Sequence, residues 1–400
     1  MGESIMNVLV TGANGFVGKN MVASLEAAGH RVLPYTRETT RETFDLYCRQ
    51  ADFVFHLAGV NRPETEAEFF EGNAGLTERL LSTLTSAENM APVVLSSSVQ
   101  VEFDNPYGQS KLEAERLLLR EHEENGRRIH IFRLPNLFGK WGRPNYNSVV
   151  ATFCDRVAHH QPVDIHDPDK TIELAYIDDV VAAFMNLLET PGTIFQEVAT
   201  HEPITLKRIA DLLYAFRNSR CDLSLPEFDD VFVKQLYSTY VSYLPVDAFA
   251  YDLHKHEDER GSFTEWVRTP DRGQVSVNVT KPGVTKGNHW HHTKTEKFLV
   301  VSGEAKIHFR RVGEEAVHTF FVTGEMARVV DIPVGYTHSI ENVGITDLVT
   351  VMWVNEPFDP AHPDTYFMEV QDEATQSHDH RRDTSRNHSA IGRHPKTRTI

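Results

Sequence analysis

The feature that most constrains this chain is a glycine run set directly behind its first apolar strand. Val8-Leu9-Val10 leads into Thr11-Gly12-Ala13-Asn14-Gly15-Phe16-Val17-Gly18, and a helical pattern then runs to Ala28. Glycines at this spacing permit a tight turn, let a phosphate approach the backbone, and bring strand and helix close together. The unpaired N–H groups that open such a helix favour an anion. Gly12, Asn14, Gly15, Phe16, Val17 and Gly18 are therefore candidate contacts to the pyrophosphate of a dinucleotide. Further apolar runs at Arg31-Val32-Leu33, Phe53-Val54-Phe55 and Val93-Val94-Leu95 alternate with amphipathic stretches up to about Thr200. That alternation predicts a Rossmann-type α/β fold, a doubly wound parallel sheet.

The end of the second strand selects the cofactor. An acid about 20 residues beyond the glycines would bind a free ribose hydroxyl, but the residues there are Leu33-Pro34-Tyr35-Thr36-Arg37. Arg37, with Arg41 as a second candidate, suits a 2′-phosphate, so NADP(H) is expected. After the Val93-Val94-Leu95 strand come Ser96-Ser97-Ser98 and then Tyr107-Gly108-Gln109-Ser110-Lys111. Residues four apart share a helix face, so Tyr107 and Lys111 can converge. A phenol is a poor acid at neutral pH, and a nearby cation is expected to lower its pKa. With NADPH as hydride source, Tyr107 would give its proton to a carbonyl oxygen that Ser98 also holds.

These pieces resemble the extended short-chain dehydrogenase/reductases that act on nucleotide-linked sugars. The resemblance rests on the glycine loop, Phe55-His56-Leu57-Ala58-Gly59, Asn73, the Ser98/Tyr107/Lys111 set, Arg133-Leu134-Pro135-Asn136-Leu137-Phe138-Gly139 and Tyr176-Ile177-Asp178-Asp179-Val180. It implies cofactor contacts at Leu57, Ala58, Gly59, Tyr107, Lys111 and Leu134. It also implies a sugar-nucleotide wall that includes Asn136, Trp141, Arg143 and Asn147. Asp178-Asp179 is read as a helix cap.

From about Phe249 the texture changes to short strands punctuated by glycine, which predicts an all-β domain. His289 and His291 are two apart and so face one side of a strand, and Glu296 follows. Imidazoles and a carboxylate suit zinc or another divalent metal, with His338 as the further ligand. The spacing Gly283–Gly303 and the run Pro333-Val334-Gly335-Tyr336-Thr337-His338-Ser339-Ile340-Glu341-Asn342 resemble the two motifs of cupins, jelly-roll barrels; only Ala327 departs, at the second motif's leading glycine. Asp258 to Glu265 and Lys286-Gly287-Asn288-His289 also resemble the dTDP-4-dehydrorhamnose 3,5-epimerases, metal-free cupins in which the matching histidine is the base. His291 and Glu296 favour the ligand role for His289, leaving Lys286, His292 and Tyr336 as candidates for proton transfer.

The order reductase then cupin resembles the bifunctional capsular polysaccharide biosynthesis enzymes over about residues 6 to 370. The resemblance implies C3 epimerisation of a UDP-2-acetamido-2,6-dideoxy-4-hexulose, then C4 reduction to the L-talose form on the way to N-acetyl-L-fucosamine. It also implies a homodimer through the cupin. Two other readings stay open: a single-activity reductase whose cupin only binds or dimerises, and a nonenzymatic NADP(H)-responsive binding protein. Chain regions 1–245, 246–370 and 371–400 are expected to be the reductase domain, the cupin domain and a disordered, His- and Arg-rich tail. The formal charge of −17 argues against nucleic acid or an anionic membrane as partner. Cys48, Cys154 and Cys221 form no framework, and neither a leader nor an apolar span is readable, so a cytoplasmic location is expected.

Overall fold

The structure is a computed structural model that describes residues 5–370 except 250, 293, 327 and 334. The tail expected over 371–400, and Ala327, lie outside the described residues. The chain forms two compact units that divide at Tyr251/Asp252, with Leu223–Leu225 grouped with the second. The boundary expected from sequence, 245/246, lies six residues earlier, inside an apolar stretch with no glycine to mark the change.

The first unit begins β1 (Asn7–Thr11), α1 (Phe16–Ala27), β2 (Arg31–Tyr35), α2 (Arg41–Gln50) and β3 (Phe53–His56). α3 (Ala67–Phe70) runs through one π-helical turn into α4 (Leu76–Ser86), followed by β4 (Val93–Ser98), α5 (Pro106–Asn125) and β5 (Ile129–Leu134). Then come β6 (Asn136–Phe138), α6 (Val149–Ala158), β7 (Thr171–Tyr176), α7 (Ile177–Glu189), β8 (Phe195–Gln196), β9 (His201–Thr205), α8 (Leu206–Asp222) and α9 (Val231–Val241). The main sheet has the order β2-β1-β3-β4-β5-β8 and all its pairings are parallel. Val8, Leu9 and Val10 are fully buried because helices cover both faces of a parallel sheet. The strand order reverses between β1 and β3, and ligands of such sheets sit beyond the carboxyl ends of the strands there.

The second unit is all-β: β10 (Lys255–Asp258), β11 (Gly261–Thr269), β12 (Gly273–Thr280), β13 (Thr285–Trp290), β14 (Glu296–Ser302) and β15 (Glu304–Arg311). β16 (Val317–Thr323), β17 (Val329–Ile332), β18 (Tyr336–Asn342), β19 (Leu348–Val354) and β20 (Tyr366–Phe367) complete it. Two antiparallel sheets, β10-β11-β12-β19-β14-β17 and β16-β15-β18-β13-β20, share a core that includes Phe298, Val300, Ile307, Phe309, Val322 and Ile340.

Candidate functional site

In the first unit the candidate residues gather at the carboxyl ends of β1, β3, β4 and β5. Gly12 has φ +69°, and a Cβ there would lie 2.8 Å from the backbone of Ala58, so the glycine loop packs directly on Leu57-Ala58-Gly59. A Cβ on Gly18 would meet the Gly12 carbonyl at 2.1 Å. Gly15 caps α1 without a side-chain bond, and no acid stands in the first turn, which leaves that helix start open to a phosphate. Asn14 is exposed there, while Phe16, Val17 and Leu57 pack against the core.

A buried relay fixes this corner. The Thr11 hydroxyl accepts the N–H groups of Leu57 and Ala58 at 3.1 Å each, so its own proton goes to His56 Nδ1 at 2.7 Å. His56 Nε2 then donates to Thr77 Oγ1 at 2.9 Å, and Thr77 donates to the Asn73 carbonyl at 2.8 Å. Burial, with Lys111 adding, pulls the His56 pKa down to about 3, so the ring is neutral. Sequence inspection took His56 only as part of a motif and missed this role.

Asn105 caps α5 through the Gly108 amide, and Pro106 follows at its first position, so Tyr107 sits in the first turn and Lys111 one turn on. Ser98 stands near enough to the Tyr107 phenol to draw its pKa down. Lys111 is buried, donates to the Ser96 carbonyl at 2.9 Å, and would lie 3.0 Å from a Cβ on Gly59. Burial pulls its pKa down to about 8 against the pull of Glu115. The expected lowering of the Tyr107 pKa is not found. Burial raises it, with Ser98 opposing, and the Lys111 ammonium is taken up by the Ser96 carbonyl.

Glu115, one further turn along α5, is a fully buried acid that accepts Ser97 Oγ at 2.5 Å and Arg133 at 2.8 and 3.1 Å. The Lys111/Glu115 spacing was the available signal for it. Leu134 is buried at the end of β5. Arg37, Asn136, Arg143 and Asn147 are exposed, and among the described residues no hydrogen bond or ion pair joins them to Ser98, Tyr107 or Lys111. Arg143 instead lies over the Tyr146 ring at 5.2 Å. The cap reading of Asp178-Asp179 is corrected: Tyr176 is the N-cap of α7, Asp178 pairs with Lys140, and Asp179 accepts from Gln235 at 3.1 Å.

In the second unit His289, His291, Glu296 and His338 converge, with their candidate ligand atoms all within 4.8 Å of one another. His289 and His338 are direct cross-strand partners of β13 and β18, and a bulge at Asn288, with φ +57°, sets that register. Glu296 Oε2 lies 3.1 Å from His338 Nε2 and 3.6 Å from His291 Nε2. His291 Nε2, Glu296 Oε2 and both His338 nitrogens are buried without a hydrogen-bond partner. Unpartnered ring nitrogens on two imidazoles and an unpartnered carboxylate oxygen, with His289 converging on them, fit a divalent ion. Burial pushes Glu296 upward, but the imidazoles facing it prevail and hold it at about 2, while burial and His338 pull His289 down to about 4. Both charge states suit ligation.

Of the proton-transfer candidates, Lys286 shares the inward face of β13 with His289, since their partners Ile340 and His338 are two apart and buried. It donates to Asn278 Oδ1 at 2.7 Å, and burial lowers its pKa. His292 is exposed and packs on Trp290 and Tyr366, and Tyr336 is half-buried beside the core.

Residues 8–197 match the NAD dependent epimerase/dehydratase family, and residues 256–366 match the polysaccharide biosynthesis C-terminal domain. The chain is 46% identical to the UDP-2-acetamido-2,6-beta-L-arabino-hexul-4-ose reductase of Pseudomonas aeruginosa over 368 residues, 91% of this chain and 99% of that protein. It superposes with a TM-score of 0.86 and 51% identity on the crystal structure of the capsular polysaccharide assembling protein CapF of Staphylococcus aureus, covering 91% of this chain and all of the other. The chain belongs to the CapF family. The first candidate site lies within residues 8–197, matched to the epimerase/dehydratase family, and the second within 256–366, matched to the polysaccharide biosynthesis C-terminal domain. Among the described residues no helix is long and apolar enough to cross a membrane.

Proposed function

We propose that this chain is an NADPH-dependent nucleotide-sugar reductase of polysaccharide biosynthesis that also epimerises its substrate. The barrel inverts C3 of a UDP-2-acetamido-2,6-dideoxy-4-hexulose, and the first unit then reduces the C4 ketone to give the L-talose form. The observation that carries the reading is the grouping of Ser98, Tyr107 and Lys111 beside Gly59 and the glycine loop, in a chain that also holds a four-residue metal-type cluster. The reductase named for the Pseudomonas relative supports the 4-keto sugar as substrate class.

NADPH, when bound, supplies the hydride. Tyr107 donates its proton to the C4 oxygen and Ser98 holds the same oxygen; the raised phenol pKa keeps that proton in place until the carbonyl receives negative charge. Lys111 offers a cation beside Gly59, a residue assigned to the cofactor. In the barrel, the C4 ketone acidifies the C3 hydrogen, and a divalent ion held by His289, His291, Glu296 and His338 would stabilise the enolate oxygen. Lys286, inward and depressed in pKa, moves the proton. Reduction ends the acidity of C3, so epimerisation precedes it. A homodimer through the barrel and a cytoplasmic location belong to the same reading.

The test is incubation with UDP-4-keto-6-deoxy sugars in deuterated water, with and without NADPH, followed by location of the label. Tyr107→Phe is expected to lower kcat of reduction by about 10²–10⁴-fold while leaving exchange at C3. His338→Ala is expected to stop exchange and spare reduction of pre-epimerised substrate. Exchange that survives in His338→Ala at the wild-type rate overturns the role given to the barrel.

A further inference from the structure

We propose that residues 364–370 form a clasp whose docking positions the metal ligands of the barrel, so that docking of the clasp and metal occupancy each favour the other. This rests on the reading of His289, His291, Glu296 and His338 as a metal cluster. His291 has two ring nitrogens, and Nδ1 lies 2.6 Å from the Asp364 carbonyl oxygen. A carbonyl only accepts, so Nδ1 carries the proton and Nε2 presents its lone pair to the cluster. The Asp364 carboxylate in turn receives the amides of His292 and Lys294 at 3.0 and 3.1 Å, fixing the chain just past His291.

The same segment holds the other end of the ligand strand. β20 pairs with β13 so that Phe367 faces His289 and Tyr366 faces Trp290. Asn288, the bulge residue that turns His289 toward His338, gives its carbonyl to the Met368 amide at 2.9 Å and its side-chain oxygen to the Val370 amide at 3.3 Å. Without those bonds nothing in the described residues holds the Asn288 carbonyl and side chain in the bulge.

The clasp is fastened by polar contacts more than by packing. Arg310 donates to the carbonyls of Val370 at 2.8 Å and Glu369 at 2.6 Å, and Thr337 donates to that of Met368. Tyr366 and Phe367 are 46% and 77% exposed, and only Val370, at 2%, is buried. A segment with so little apolar burial opens locally at low cost. Opening frees the His291 tautomer and the Asn288 bulge together, which weakens the cluster. Linkage requires the converse, that a bound ion resists opening.

The experiment uses the full chain, titrated with zinc against a competing chelator, and hydrogen exchange at the Met368 and Val370 amides with and without EDTA. Arg310→Ala, which removes two anchors and no ligand, is expected to weaken zinc binding about tenfold while retaining NADPH binding. Val370→Ala, a second way of loosening the clasp, is expected to move zinc affinity in the same direction. Chelation is expected to speed exchange at both amides in the wild type. Zinc affinity unchanged in both variants, or amide exchange indifferent to EDTA in a wild type that binds zinc, overturns the clasp alone; a wild type that binds no divalent ion overturns the metal reading with it.

Discussion

His56 is neutral in the fold because its pKa is held near 3, yet an unfolded chain protonates it below about 6.5. Its contribution to stability is therefore complete above pH 6.5 and is lost as pH falls from 6.5 toward 3. Between pH 7 and pH 5 the wild type is expected to lose about 2 kcal/mol more than His56→Gln, read from urea unfolding at the two pH values. Equal losses would show that the Thr11–His56–Thr77 relay does not discriminate between charge states. At this scale the sequence disclosed identities better than states. Ser98, Tyr107 and Lys111 were legible from order and spacing, but the Tyr107 pKa was expected to move the wrong way. Spacing along a helix says that two side chains share a face; it does not say that the Ser96 carbonyl competes for the ammonium.

The strand, glycine turn and helix at the amino end offer a controlled comparison of backbone strain with steric contact. Gly12 and Gly29 both have positive φ, +69° and +82°, but a Cβ at Gly12 strikes Ala58 whereas one at Gly29 meets nothing within 4 Å. Gly29→Ala is expected to cost about 1 kcal/mol and keep NADPH binding. Gly12→Ala must also push the Leu57-Ala58-Gly59 segment aside and is expected to lose NADPH binding, measured by fluorescence titration. Similar affinities in the two variants would sever the link between this turn and the cofactor. Elements whose signal lies in side chains, such as the His-x-His strand, were readable. Residues 364–370 were not, because they act largely through backbone carbonyls taken up by His291, Arg310 and Thr337, and any sequence there supplies carbonyls.

For the molecule as a whole, the two chemistries we propose, one using NADPH and one a metal ion, should be separable by reagent. EDTA is expected to abolish deuterium incorporation at C3 and leave NADPH affinity within about twofold, since no residue assigned to the cofactor is a metal ligand; parallel loss of both would overturn the division of labour. The two-domain architecture and both motif sets were legible from texture and spacing. The point where the chain passes between units was not: the texture changes from about Phe249, the division falls at Tyr251/Asp252, and the first strand of the second unit begins only at Lys255. One detail of that connection bears on dissection of the enzyme. The chain passes from the first unit to the second at Asp222, returns at Pro226 and leaves again after Tyr251. Within the second unit Leu223 and Leu225 exchange backbone hydrogen bonds of 2.7 Å with Arg268. A gene cut at Tyr251/Asp252 would thus deliver a barrel missing one of its own pieces.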